Sequence, residues 1–114
     1  MDISEYDNYK ITVNVPGEYL DILMDNLNDA VDPLYPGYER TFTYQRVTGT
    51  WRPLPGSSPF KGTVGEIETA EEMKLEFIVK GKDVRSAVHV INNIHPYEEP
   101  AIDIVPVICG KDII

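Results

Sequence analysis

His95, Tyr97, Glu98 and Glu99 stand within five residues of one another, framed by Pro96 and Pro100. An imidazole with two carboxylates is the donor set of a zinc, copper or nickel site. One short connector supplies too few ligands, so a fourth group would have to come from Cys109 or from a second copy of the chain. The bland alternative has His95 and Tyr97 packed under a loop while the glutamates pair with Arg46, Arg52 or Lys61. Adjacent residues of an extended segment point to opposite sides, which argues against Glu98 and Glu99 as a general acid/base pair. No Ser-His-Asp or Cys-His set is visible, and the expectation is a protein that is not an enzyme.

A second group of capable side chains lies in Gly49–Gly62, where three prolines and three glycines describe a long loop. Long loops in compact domains are usually functional or disordered. Trp51, Arg52, Phe60 and Lys61 combine aromatic faces with cations, a combination able to grip a base and its phosphates. The same residues could instead lock subunits together with Trp51 as the anchor. There is no Walker-type loop. Asp21, Asp25 and Asp29 lack EF-hand spacing and read as a solvated face. His89 reads as a partly buried helix residue.

Proline fixes its own φ and pushes the preceding residue towards extended geometry, so residues 95–101 must be a stiff connector that ends a helix. The elements around it follow from hydrophobic period. Lys10–Val15 alternates as a first strand, and Leu20, Leu23, Met24, Leu27 and Val31 mark a helix over about 18–30. Tyr38–Val47 and Glu72–Lys80 alternate as second and third strands, the latter with Met73, Leu75, Phe77 and Val79 inward. Asp83 is placed to cap a second helix whose stripe is Val84, Ala87, Val88, Ile91 and Ile94. Ala101–Ile108 is a last strand in which Pro106 demands an edge or a bulge.

The order β-α-β-β-α-β is the ferredoxin-like α+β arrangement, a four-stranded antiparallel sheet with two helices on one face. Residues 1–8 read as a flexible arm and 9–110 as the single domain. The open sheet face would carry Thr12, Asn14, Thr43, Gln45, Ile78, Val105 and Val107, a half-apolar surface that self-association would bury.

Bulk properties narrow the partners. The 114 residues carry a formal charge of −9, which makes nucleic acid and anionic membrane poor partners. From Arg40 to Gly65 there is no acidic residue, although Arg40, Arg46, Arg52 and Lys61 lie there. That basic segment suggests a meeting with an anionic ligand or with the acidic face of another subunit. A single cysteine, no signal-like N-terminus and no long apolar run predict a cytoplasmic protein.

The strings Gly49-Thr50-Trp51-Arg52-Pro53-Leu54-Pro55-Gly56-Ser57-Ser58-Pro59-Phe60, Gly65-Glu66-Ile67-Glu68 and His95–Ala101 resemble the PII-like domain inserted in bacterial NGG-interacting-factor-three-like proteins, and its stand-alone versions. His-Pro-Tyr-Glu followed by proline is also similar to the CutA proteins. The resemblance implies a PII/CutA-like homotrimer with ligand clefts between subunits, binding a small molecule or a divalent metal ion in a regulatory role. The metal residues would be His95, Glu98 and Glu99, and the ligand residues Trp51, Arg52, Phe60, Lys61 and Tyr97. The host proteins' flanking metal-binding lobes have no counterpart in these residues, so no hydrolase activity carries over. Asp29–Gly37 also departs from the family's glycine-rich, cysteine-containing turn. The alternative function is a structural oligomer without a ligand.

Overall fold

The computed structural model describes residues 5–114, and part of the expected N-terminal arm lies outside them. The elements are β1 (Asn8–Val15), α1 (Leu20–Ala30), β2 (Thr43–Trp51), β3 (Glu68–Lys80), α2 (Val84–Ile94) and β4 (Ile102–Val107). All strand pairs are antiparallel, in the order β2-β3-β1-β4. This is the ferredoxin-like α+β architecture expected from the sequence.

Period-2 alternation in β1 and β3 sends Tyr9, Ile11, Val13, Val15, Leu75, Phe77 and Val79 to one face. There they meet Leu20, Leu23, Met24 and Leu27 of α1 and Val84, Ala87 and Ile91 of α2. Burial of these side chains, at about 25 cal/mol per Å² of apolar surface, is the main force holding helices to sheet. Pro106 pairs opposite Tyr9 on an edge strand, where its missing N–H breaks no ladder.

Several boundaries differ from expectation. β1 begins at Asn8, a buried residue assigned to the arm from sequence, because it pairs with Lys80 and Val107, and its side chain donates to Asp112 at 3.1 Å. The second strand is displaced: Tyr38–Phe42 stay outside it and Thr48–Trp51 extend it. Phe42 instead packs edge-on against Phe77, 5.5 Å between ring centres. Asp83 stands before α2 but makes no capping bond. Its carboxylate accepts the Asp32 backbone N–H at 3.0 Å, tying the loop after α1 to the start of α2. His89 is exposed rather than partly buried, since it falls on the face of α2 away from Ala87 and Ile91. No helix among the described residues is long and apolar enough to cross a membrane.

The displacement of β2 matters most for the site. β1 stops where Val15 pairs with Met73, but β2 and β3 run on together from Val47–Glu72 to Trp51–Glu68. The sheet therefore ends in a two-stranded overhang beyond β1, and the 95–101 connector passes across that end.

Candidate functional site

Against this overhang lies a cleft of about 530 Å³, walled by the hairpin, the 52–67 loop and the connector. Trp51, Arg52, Phe60, Lys61, Tyr97, Glu98 and Glu99 all line it. The two groups of residues singled out from sequence thus converge on one place, although about forty residues of chain separate them.

Tyr97 is the hub. Its ring centre lies 5.6 Å from Trp51, 6.0 Å from Phe60 and 4.8 Å from His95. Offset and tilted contacts at such distances suit the quadrupoles of aromatic rings. Phe60 is also edge-on to Tyr19, 6.2 Å away, which anchors the loop to the turn preceding α1. Trp51 Nε1 donates to the Lys61 carbonyl at 3.2 Å, closing the loop back on the last residue of β2. Gly62 makes that closure with φ +114°, and a Cβ there would crowd Pro53 and Trp51. Only glycine visits that region without strain.

The connector is held from both sides. Glu98 Oε2 accepts the Ser58 backbone N–H at 2.7 Å, joining connector to loop. Beneath Tyr97, His95 is 6% exposed. Its Nε2 is 2.7 Å from the Asn14 carbonyl, to which only an Nε2–H can donate. Its Nδ1 then accepts the Tyr97 backbone N–H at 3.2 Å. Both ring nitrogens are occupied, and burial holds the imidazole below its ordinary pKa in spite of the Asn14 carbonyl and Glu72. Burial also raises the Tyr97 phenol, assisted by the neighbouring Glu72 carboxylate.

The metal-ligand set expected at His95, Glu98 and Glu99 is not assembled in this arrangement: no group of three His, Cys, Asp or Glu side chains is placed to hold a metal among the described residues. Cys109, weighed as the fourth ligand, follows Val107 at the Asn8 end of β1, whereas His95 sits at the Asn14 end. The two ends are roughly 20 Å apart at the rise of a β-strand. The glutamates make no ion pair with Arg46, Arg52 or Lys61 among the described residues, and Arg40 is bound to Asp25 at 2.8 Å.

Sequence reasoning missed Glu72 and Gly49. Alternation assigned Glu72 to an outward, solvated position, yet it is 5% exposed on the floor of the cleft. Gly49, read as part of a loop, is a strand residue on the same sheet face. A Cβ at residue 49 would fall inside the Glu72 carboxylate, so the glycine leaves room for that carboxylate. The signal available beforehand was a glycine in a β-branched, alternating run, which marks a close approach.

No family model matches the chain. It is 36% identical over 98 residues to a protein of Halalkalibacterium halodurans named GTP cyclohydrolase 1 type 2 homolog, covering 86% of this chain and 26% of that protein. The Staphylococcus epidermidis protein of the same name is 32% identical over 97 residues, covering 85% and 26%. The chain thus spans about a quarter of the length of these curated relatives. Among solved structures, a Bacillus cereus protein related to NIF3 superposes with a TM-score of 0.76 at 27% identity, covering 90% of this chain and 26% of that one. The divalent cation tolerance protein CutA of Archaeoglobus fulgidus gives 0.65 at 14% identity, covering 90% and 86%. Arabidopsis thaliana PII bound to citrate gives 0.60 at 19%, covering 90% and 78%. The last two identities speak to fold alone. The resemblance to the PII/CutA-like domain of NIF3-like proteins, and the fold that it implied, both stand.

Proposed function

We propose that this chain is a non-catalytic, self-associating cytoplasmic module of PII/CutA-like fold that binds a small molecule in the cleft beneath the 52–67 loop, in a regulatory role. The observation that carries the reading is the convergence of Trp51, Arg52, Phe60, Lys61, Tyr97, Glu98 and Glu99 on one cavity of about 530 Å³. That volume falls within the range of ordinary small-molecule sites, and an aromatic lining with a few polar groups is their usual composition. Occupation of both His95 nitrogens favours an organic ligand over a metal ion, and a structural over a catalytic imidazole.

Self-association, as a homotrimer by analogy with the family resembled, would cover the open sheet face. Val105 is exposed there beside Thr12, Asn14 and Ile78. A subunit edge close to the overhang would deepen the cleft.

Thermal-shift measurements against a metabolite panel test the binding claim. A compound that stabilises wild type but not Tyr97→Ala supports it, and a panel with no such compound contradicts it; zinc titration is expected to give no saturable heat. Trp51→Ala followed by size-exclusion chromatography separates the purely structural alternative. Loss of binding with the oligomer intact favours the ligand site, and dissociation favours a loop that locks subunits.

A further inference from the structure

Glu72 is the buried group in the cleft that the reading above does not use. It lies on the floor between Gly49 and Tyr97, and it is 5% exposed. Burying a carboxylate is costly unless cations or several donors satisfy it. The ion pairs among the described residues join Arg40–Asp25, Lys74–Glu76, Lys82–Asp32, Lys82–Asp83 and Lys111–Asp112, and none reaches Glu72. Arg52 and Lys61 line the same cleft from exposed positions without meeting it. His95, the nearest imidazole, has already committed both nitrogens. The Tyr97 phenol neighbours Glu72, and a carboxylate offers about four acceptor positions. Trp51 and Tyr97 line the same cleft, packed against each other with ring centres 5.6 Å apart.

We infer that Glu72 is the specificity residue of this cleft and that the ligand presents an amidine-type edge to it: two parallel N–H donors on a planar, stackable group. A carboxylate accepts such a pair in bidentate fashion, and the aromatic lining of the cleft favours a flat or cationic partner. The edge occurs on a guanine ring and on an amidinium or guanidinium group. Adenine, which places an acceptor beside its amine, does not match. This assignment rests on the small-molecule reading of the cleft and adds the chemical class of the ligand.

The test is calorimetric titration of the full chain with guanosine, inosine, adenosine and benzamidine. Expected is saturable binding of guanosine or benzamidine, whichever source of the edge the cleft accepts. If guanosine binds, inosine, which lacks the 2-amino group, and adenosine bind at least about tenfold more weakly. Glu72→Gln should weaken the binding about ten- to a hundredfold, as expected for a lost hydrogen bond to a charged group. Gly49→Ala is the second variant, because its Cβ displaces the carboxylate without substituting it, and it decides the matter if Glu72→Gln does not fold. Binding by neither probe, or binding unchanged in both variants, overturns the inference. If another compound then shows Tyr97-dependent stabilisation, only the amidine assignment falls. If none does, the small-molecule reading falls with it.

Discussion

His95 shows how a residue with metal-ligand chemistry can be spent on structure. Its ring bridges the last turn of β1, through the Asn14 carbonyl, to the backbone of Tyr97, and so sets the height of the Tyr97 ring in the cleft. Burial lowers its pKa below the ordinary 6.5. The unfolded chain therefore takes up a proton first as pH falls, and stability present above 6.5 is lost as pH drops through the folded value. The thermal midpoint of wild type should fall on acidification from about pH 7.5 to 5 more steeply than that of His95→Gln. Parallel curves would mean that the imidazole is not held neutral by the fold. Glu72 belongs to the same scale: alternation gave its side of the strand correctly but could not show that the connector covers it.

At the scale of elements, the sheet overhang and the two segments that close over it make the cleft. Strand and helix types were legible because hydrophobic period is strong where one face is buried, as in β1, β3 and α2. The error in β2 has the same origin. It is an edge strand, every residue from Thr43 to Arg46 is exposed, and no burial pattern marks its start; over Val47–Trp51 half-buried and exposed residues alternate, but Gly49 and the prolines beyond hide that alternation in the sequence. Gly49 and Trp51 were consequently read as loop residues, although their place on the hairpin puts them in the cleft. The 52–67 loop is anchored at specific points: Trp51 to Lys61, Phe60 to Tyr19 and Tyr97, and Ser58 to Glu98. The last anchor joins loop to connector through one carboxylate. Glu98→Ala should speed hydrogen exchange at the Ser58 amide by roughly tenfold or more, the factor expected for losing a hydrogen bond of about 1.5 kcal/mol. Exchange in β1 should not change. An unchanged Ser58 rate would show that the other anchors suffice.

For the whole molecule, the helices shelter one face of the sheet and leave the other bare. The open face mixes Lys10, Thr12, Asn14, Lys74, Glu76 and Ile78 with Val105 and Val107 of the edge strand. The free edges of β2 and β4 bound it on either side. The proposed occupant of that face is another copy whose charges and apolar side chains interdigitate with these. The cleft lies at the end of the same face, and assembly and ligand binding would then be coupled: closing the face completes the wall of the site. Native mass spectrometry of freshly purified protein at low concentration examines both parts of the proposal in one spectrum. The account predicts a trimer that retains or readily takes up a small organic mass, lost from Tyr97→Ala. A folded single chain, bare at every concentration and indifferent to added compounds, would contradict it.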